Sequence, residues 1–204
     1  MSLRYALLAL LAVEPMTGYE LSKAFQSSVA HVWHAPDSQI YPELKRMEKD
    51  GLLEGQDVTW GRRGKKREYH ITDAGIMDFR SWMNDTLSYP PERDPVHLKA
   101  AYFEWAEPEA ARAQLRAHIA NFTARREDWE EKVAEILGDT NPILAKRLAQ
   151  APEEARVRIR AFKKYTYDGL IAHAEQEIAW AESGLALLDE VSPSPATDST
   201  AKSP

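Results

Sequence analysis

The sequence predicts a mainly α-helical (α+β) fold in two parts, and three observations support this. Between residues 36 and 72 a helical pattern gives way to two strand-like runs, which are joined by a basic tip, Gly61-Arg62-Arg63-Gly64-Lys65-Lys66-Arg67. Beyond residue 92, apolar residues recur at alternating spacings of three and four, as in packed antiparallel, coiled-coil-like helices. Four segments there place proline near the first helical position, where it is well tolerated. The order helix, strand, cationic tip, strand, helix is that of a winged helix-turn-helix with a two-stranded wing.

Composition excludes several classes of protein. The 204 residues carry a formal net charge of −6, which argues against nonspecific coating of nucleic acid or membranes. Cysteine is absent from the sequence, so disulfides, cysteine nucleophiles and zinc–thiolate sites are excluded and a cytoplasmic location is favoured. The sequence contains no nucleophile motif, phosphate-binding glycine loop or paired acid–base signature. We therefore expect neither an enzyme nor a bound cofactor.

The first helix is predicted over residues 3–13 and is apolar nearly all round, as a central helix would be. Its apolar run is too short to span a bilayer, and no small-residue cleavage site follows it, so a buried helix is favoured over a signal peptide. Pro15 ends this helix, and the capping-box spacing of Thr17 and Glu20 predicts the start of a second. One face of the second helix is expected to be buried: Leu21, Ala24, Phe25 and Ser28.

A third helix is predicted over residues 38–50, and Gly51 is expected to follow its end. At about 100° per residue, Ile40, Leu44 and Met47 face the core. The opposite, cationic face is the candidate DNA-binding surface: Ser38, Gln39, Tyr41, Pro42, Lys45, Arg46 and Lys49. Gln39 has the chemistry to pair with adenine, and Arg46 or Lys45 with guanine. The alternative is that these side chains contact only the DNA backbone, and we expect that of Lys45 and Lys49.

The two wing strands are predicted over residues 52–60 and 66–72, and alternation places Tyr69 and Ile71 on one face. Cations at the tip can form charge-assisted hydrogen bonds with phosphates. The predicted phosphate contacts are Arg62, Arg63, Lys65, Lys66 and Arg67. The alternative is a solvated charge run that only keeps the hairpin soluble. The cationic helix face that precedes the wing favours DNA.

Thr72 is expected to cap a fourth helix, and Ser88-Tyr89-Pro90-Pro91 marks a domain boundary. We therefore predict a DNA-binding domain over residues 1–85, a linker over 86–92, a helical dimerisation and effector domain over 93–190, and a disordered tail over 191–204. Two long helices of the second domain carry apolar seams that we expect at a dimer interface. The seam residues are Leu115, Ile119 and Phe122 on one helix, and Tyr167, Ile171, Ile178, Leu185 and Leu188 on the other.

Aromatic residues of the second domain are candidates for an effector pocket: Tyr102, Phe103, Trp105 and Trp129, with Trp180 nearby in the pattern. The alternative, which is more common for such residues, is a place in the core or dimer interface. His31 and His34 have a spacing that can bind metal on a helix. No carboxylate supports that spacing, so no metal site is expected.

Five segments together resemble the PadR family of bacterial transcriptional regulators: residues 3–11 (LRYALLALL), 17–21 (TGYEL), 40–44 (IYPEL), 48–53 (EKDGLL) and 67–75 (REYHITDAG). The resemblance implies a winged-helix homodimer on a roughly palindromic double-stranded operator, usually repressing transcription and often released by a small aromatic or drug-like effector. It also implies that the helix containing Tyr41-Pro42 is the recognition helix and that the residues around Gly64 form the wing tip. The remainder of the chain is similar in pattern to the C-terminal helical region of longer PadR-like regulators.

These observations predict a sequence-specific DNA-binding transcriptional regulator, a repressor released by a small-molecule effector. The main alternative is a winged-helix protein-interaction adaptor without specific DNA binding, whose partner binding would be largely insensitive to salt. A third hypothesis is a helical protein that binds small molecules and whose winged part is vestigial. That hypothesis needs the aromatic residues to matter more than the cationic ones.

Overall fold

The computed structural model describes residues 2–29, 32, 35–60, 64–89 and 93–191, and it confirms the mainly helical α+β class. The N-terminal elements are α1 (Ser2–Leu11), β1 (Met16–Thr17), α2 (Gly18–Ser28), α3 (Asp37–Lys49), β2 (Leu53–Trp60), β3 (Gly64–Ile71) and α4 (Asp73–Asn84). The later elements are α5 (Pro95–Ala100), a short 3-10 helix (Phe103–Trp105), α6 (Pro108–Leu137), α7 (Pro142–Gln150) and α8 (Glu153–Val191). Among the described residues, no helix is both long enough and apolar enough to cross a membrane.

The core of the winged part forms where α1, α2 and α3 pack together. Its largest fully buried side chains are Leu7, Leu8, Leu21, Phe25, Ile40, Leu44 and Met47. The buried faces predicted for the second and third helices are therefore confirmed. The predicted capping box is also present, because the Thr17 N–H donates to Glu20 Oε2 at 2.9 Å while the Thr17 side chain accepts from the Glu20 N–H.

The wing belongs to a three-stranded antiparallel sheet with the order β1-β3-β2. The two long strands were predicted, and they pair from Leu53 with Ile71 to Trp60 with Gly64. The sequence-based prediction missed β1, in which Met16 pairs with Tyr69 and Thr17 with Glu68. A two-residue strand is too short to show alternation, so only the tertiary pairing with β3 reveals it.

Helix α7 packs with the winged part, although it follows α6 in the sequence. The first compact unit contains α1–α4, the sheet and residues 139–156. Ile143 packs against the core of this unit, and Lys146 Nζ lies 2.6 Å from Glu14 Oε1. This differs from the predicted division, which assigned all of residues 93–190 to one helical domain. The apolar contact of Ile143 is the physical reason for the difference.

The second compact unit contains α5, the 3-10 helix, α6 and most of α8. Helices α6 and α8 run antiparallel, with Ala111, Leu115, Ala181 and Leu188 in a shared core. Gly184 permits close approach, since a Cβ there would lie 2.9 Å from Leu115 Cδ1. At the same end, the buried Arg112 guanidinium donates to the Leu188 carbonyl oxygen at 3.2 Å.

Candidate nucleic-acid interface

The outward face of α3 is exposed along its whole length. Every residue predicted for this face is solvent-exposed: Ser38, Gln39, Tyr41, Pro42, Lys45, Arg46 and Lys49. The helix forms this face because its three core residues, Ile40, Leu44 and Met47, have no solvent exposure. Among the described residues, Lys45 and Lys49 have no ion-pair partner. Their ammonium groups are therefore available to an anion.

Two tyrosines, Tyr41 on α3 and Tyr19 at the N-terminus of α2, extend this surface. The Tyr41 ring lies over Gly18, where a Cβ would stand 2.7 Å from Tyr41 Cε1. Tyr19 is 64% exposed, and Lys66 Nζ lies 5.8 Å from the centre of its ring. Tyr19 was not among the residues predicted from the sequence for this surface. Tyr19 lies in the first turn of α2, beside the capping residue Thr17 and the core-facing Leu21. An aromatic residue at that point of the capping pattern is the signal by which the sequence could have indicated an exposed tyrosine.

Carboxylates hold two of the arginines near α3. Glu43 Oε1 lies 3.2 Å from Arg4 Nε, and Glu43 Oε2 lies 2.5 Å from Arg46 Nη1. Arg4, which the sequence analysis did not single out, also contacts Asp50 at 2.7 Å and so links α1 to α3. Arg46 is 59% exposed at its side chain but shares Glu43. A base contact by Arg46 would therefore compete with an existing ion pair.

The wing cations fall into distinct environments. Arg62 and Arg63 lie outside the described residues. Lys65 is exposed and has no ion-pair partner among the described residues, whereas Lys66 is half-buried. Arg67 differs from both, since it donates to Glu48 on α3 and its Nη1 lies 3.3 Å from Asp57 Oδ1 on β2. The hydrogen bond from Arg67 lowers the pKa of the Glu48 carboxyl below its ordinary value.

The predicted dimer seams meet each other within one chain. Leu115, Phe122, Tyr167 and Leu188 are buried in the single chain, and Ile119, Ile171, Ile178 and Leu185 are half-buried. Leu115 and Leu188 share one core with the half-buried Ile119 and Leu185 packed against it. The seam that we expected at a second subunit is therefore largely occupied by the chain's own partner helix.

A second face of α8 lies opposite that seam and is exposed throughout. We call it the outer stripe, and its residues also alternate in spacings of three and four: Phe162, Tyr165, Gly169, Ala172, Gln176, Ala179, Ser183 and Ala186. Phe162 is 66% exposed and Tyr165 is 74% exposed. The stripe was not predicted from the sequence, because most of its residues are small or polar. The spacing itself is the signal that would have found it.

Three of the four predicted effector residues surround one pocket in the second unit. Tyr102, Phe103 and Trp105 line a cavity of about 440 Å³, together with Leu98, Lys99, Ala106, Ala110, Ala111 and Gln114. Trp129 does not line it. Trp129 is 2% exposed, and the Arg125 guanidinium lies over it, with Arg125 Cζ 4.8 Å from the centre of the Trp129 ring. Trp180 contacts His97 instead, with ring centres 4.0 Å apart and ring planes tilted by 30°.

The described part of the chain holds no group of three or more histidine, aspartate or glutamate side chains placed to bind a metal ion. The two histidines considered from the sequence, His31 and His34, lie outside the described residues. The other four histidines each lie within 4.0 Å of a carboxylate: His70, His97, His118 and His173.

Two family models match the chain. The transcriptional regulator PadR-like family matches residues 7–81, and the virulence activator alpha C-terminal family matches residues 92–189. The negative transcriptional regulator PadR of Bacillus subtilis is 25% identical over 142 residues, which cover 69% of this chain and 78% of the relative. The matches therefore extend over both compact units.

Solved structures share the fold. The crystal structure of Bacillus subtilis PadR in complex with operator DNA has a TM-score of 0.71 at 22% identity and covers 93% of this chain and 100% of that chain. The same regulator in complex with p-coumaric acid has a TM-score of 0.67 at 22% identity and covers 92% of this chain and 95% of that chain. At this identity the likeness establishes the common architecture.

Proposed function

The chain belongs to the PadR-like family of transcriptional regulators, and from this premise we propose that it binds operator DNA as a homodimer and represses transcription until a small-molecule effector releases it. The observation that carries the proposal is the exposed face of α3, whose Lys45 and Lys49 have no ion-pair partner among the described residues. A helix with this exposure fits a DNA major groove. Bacillus subtilis PadR, which shares the fold, has been solved on operator DNA.

Each side chain on this surface has a role in the proposal. Gln39 and Arg46 contact base edges, and Lys45 and Lys49 contact phosphates beside the groove. In the wing, Lys65 and Lys66 contact the flanking backbone, with Arg62 and Arg63 expected beside them. Tyr41 and Tyr19 continue the surface towards the N-terminus of α2. Two copies related by a two-fold axis would place their α3 helices in successive major grooves.

The outer stripe of α8 is our candidate for the dimer interface. Its small residues, Gly169, Ala172 and Ala179 among them, permit two helix backbones to approach closely, and its aromatic residues are exposed in the single chain. Charge favours an antiparallel partner. Between residues 157 and 172 the cations Arg158, Arg160, Lys163 and Lys164 outnumber Asp168, whereas between 173 and 191 the charged residues are Glu175, Glu177, Glu182, Asp189 and Glu190.

A single substitution tests this interface. We expect Tyr165→Glu to convert the dimer to a monomer in sedimentation or light-scattering measurements, since a carboxylate would be buried against the second copy. Thr166→Glu is the matched control, because it adds the same charge about 100° round the helix. A dimer that survives Tyr165→Glu would contradict the assignment of the outer stripe and would leave DNA binding to be judged separately.

The aromatic pocket is our candidate for the effector site. A cavity of this size suits a small aromatic ligand, and Lys99 at its edge suits a carboxylate. Bacillus subtilis PadR has been solved with p-coumaric acid. We expect p-coumaric acid to weaken DNA binding by the wild type, and Trp105→Ala to reduce that response while Trp105→Phe retains it. An unchanged response in Trp105→Ala would exclude this pocket.

The proposal gives the protein a regulatory rather than a catalytic role and places it in the bacterial cytoplasm, where it would meet its operator. The curated relatives that match are described as transcriptional regulators. Recovery of the protein outside the cytoplasm after cell fractionation would contradict the location.

DNA binding is tested by fluorescence anisotropy with a duplex from the region upstream of the protein's own gene. Affinity should fall steeply with salt, with a log–log slope that changes by about 0.9 for each phosphate contact removed. We expect Lys45→Ala with Lys49→Ala to weaken binding and flatten this slope. Lys132→Ala in α6, where the ammonium pairs with Glu135 at 2.5 Å, is the control at a site that the proposal assigns neither to DNA nor to the dimer.

No binding by the wild type at low salt would overturn the proposal. A protein partner that binds independently of salt, and still binds after the lysines are replaced, would support the adaptor hypothesis instead.

A further inference from the structure

Arg67 occupies a different environment from the other wing cations, although it is contiguous with them in sequence. Its guanidinium donates to both oxygens of Glu48, with Nε 3.3 Å from Oε2, and also contacts Asp57 on the neighbouring strand. Lys65 lies two residues nearer the tip on the same face of β3 and has no ion-pair partner among the described residues. Two cations on the same face of β3 therefore differ in what they contact.

Glu48 connects the last turn of α3 to both long strands of the wing. One of its oxygens accepts the N–H of Gly55 on β2 at 3.1 Å, and the carboxylate also accepts from Arg67 on β3. Charge-assisted, bidentate contacts with arginine are directional as well as strong. Rotation of the wing relative to α3 would break at least one of these bonds.

Gly55 keeps a path open for the arginine side chain. A Cβ on residue 55 would collide with the guanidinium, standing 2.7 Å from Arg67 Cζ, and would also overlap the Glu48 carboxylate. An alanine at this position would require the Arg67 and Glu48 side chains to shift from this arrangement. The glycine is thus a second feature, independent of the charges, that favours this ion pair.

We propose that Arg67 and Glu48 are positioning residues that hold the wing at a fixed angle to α3, and that Arg67 is not a phosphate contact. The inference rests on the proposed DNA binding and deepens it. A protein that contacts DNA through both a helix and a wing binds tightly only when both fit the duplex at once. Fixing the wing relative to α3 therefore lowers the conformational entropy that is lost on binding. The wing then contacts DNA through Lys65 and its neighbours nearer the tip, while Arg67 acts through Glu48.

The two possible roles of Arg67 predict opposite changes in DNA affinity for Glu48→Gln. If Arg67 contacts phosphate, removal of a competing carboxylate beside the DNA should strengthen binding, as the loss of a like charge does. If the pair positions the wing, the same substitution should weaken binding by about fivefold, the scale of one partly exposed ion pair. Gly55→Ala should weaken binding similarly, although it changes no charge.

The experiment compares full-length wild type, Glu48→Gln, Gly55→Ala and Arg67→Met with Lys65→Met as the matched cation control, by anisotropy over a range of salt concentrations. We expect Lys65→Met to lower the log–log salt slope by about 0.9 and Arg67→Met to leave it unchanged while weakening binding. The double variant Glu48→Lys with Arg67→Glu, which restores an ion pair with the charges exchanged, should recover part of the affinity lost in either single variant. A folded fraction that is constant with salt lowers the affinity but not the slope, and circular dichroism at each salt concentration measures that fraction.

Tighter binding by Glu48→Gln, or a lower slope in Arg67→Met, would overturn the inference while DNA binding itself stands. Absence of wild-type binding at low salt would overturn both.

Discussion

Replacement of Gly75 by alanine sets helix propensity against packing in the winged unit. Propensity predicts a gain of at most about 1 kcal/mol, because glycine is the poorer helix former. Packing predicts a loss, because a Cβ on residue 75 would overlap the carbonyl oxygen of Leu52 and lie 2.9 Å from Ile71 Cγ1. The Ile71 side chain can move, but the Leu52 carbonyl is backbone and accepts the Thr72 N–H at 3.1 Å. Packing should therefore win.

The magnitude follows from three contributions. Overpacking costs about 1–3 kcal/mol, and weakening the hydrogen bond to Leu52 costs about 1 kcal/mol more. After the propensity gain is subtracted, we expect the free energy of unfolding to fall by about 2 kcal/mol. Thermal unfolding of the full chain, followed by circular dichroism at one protein concentration, measures the change.

A matched pair at an exposed position of the same helix calibrates the propensity. Ser81→Ala should be more stable than Ser81→Gly, by about the propensity difference alone. At position 75, in contrast, the alanine variant should be less stable than the wild-type glycine. If Gly75→Ala unfolds at the same temperature as the wild type or at a higher one, the packing argument is refuted.

Three further predictions concern single contacts. Thr17→Ala removes the capping oxygen of α2 and should lower the free energy of unfolding by about 1 kcal/mol in urea titrations, whereas Thr17→Ser should retain it. Arg112→Met should lower the free energy of unfolding by about 1–2 kcal/mol, which is less than the usual cost of breaking a buried pair. The reason is that its partner Asp189 is 71% exposed, so water can replace the arginine. A larger loss would mean that the Leu188 carbonyl is left unpaired. Because the pKa of Glu48 is lowered from 4.5, chiefly by the hydrogen bond from Arg67, its stabilisation is present above that pH and is lost as pH falls through the folded-state pKa. The stability difference between wild type and Glu48→Gln should therefore shrink on acidification, and a constant difference would contradict this.

Short-range patterns predicted most of the secondary structure and part of the candidate interface. The capping box at Thr17, the buried face of α3 and the proline-led starts of α6 and α7 all depend on residues within one or two turns of each other. The exposure of Lys45 and Lys49 follows from the same periodicity, because a helix that buries one face must expose the other.

Contacts between distant residues decided the rest. Strand β1 is defined by Met16 pairing with Tyr69, and α7 joins the winged unit through Ile143 and the Lys146–Glu14 pair. The apolar seams of α6 and α8 show the spacing of a helix interface, but spacing does not say whether the partner helix belongs to the same chain. In the structure it does, which leaves the outer stripe as the exposed face.

The sequence by itself determined that this protein has a winged helix-turn-helix with an exposed cationic helix face, because period and capping are local properties of the chain. The tertiary structure alone decided which cations remain available. Arg67 lies 19 residues from Glu48, and only folding brings the two together. Charge in a sequence is additive, whereas the capacity of each charge to bind a phosphate depends on its partners in space.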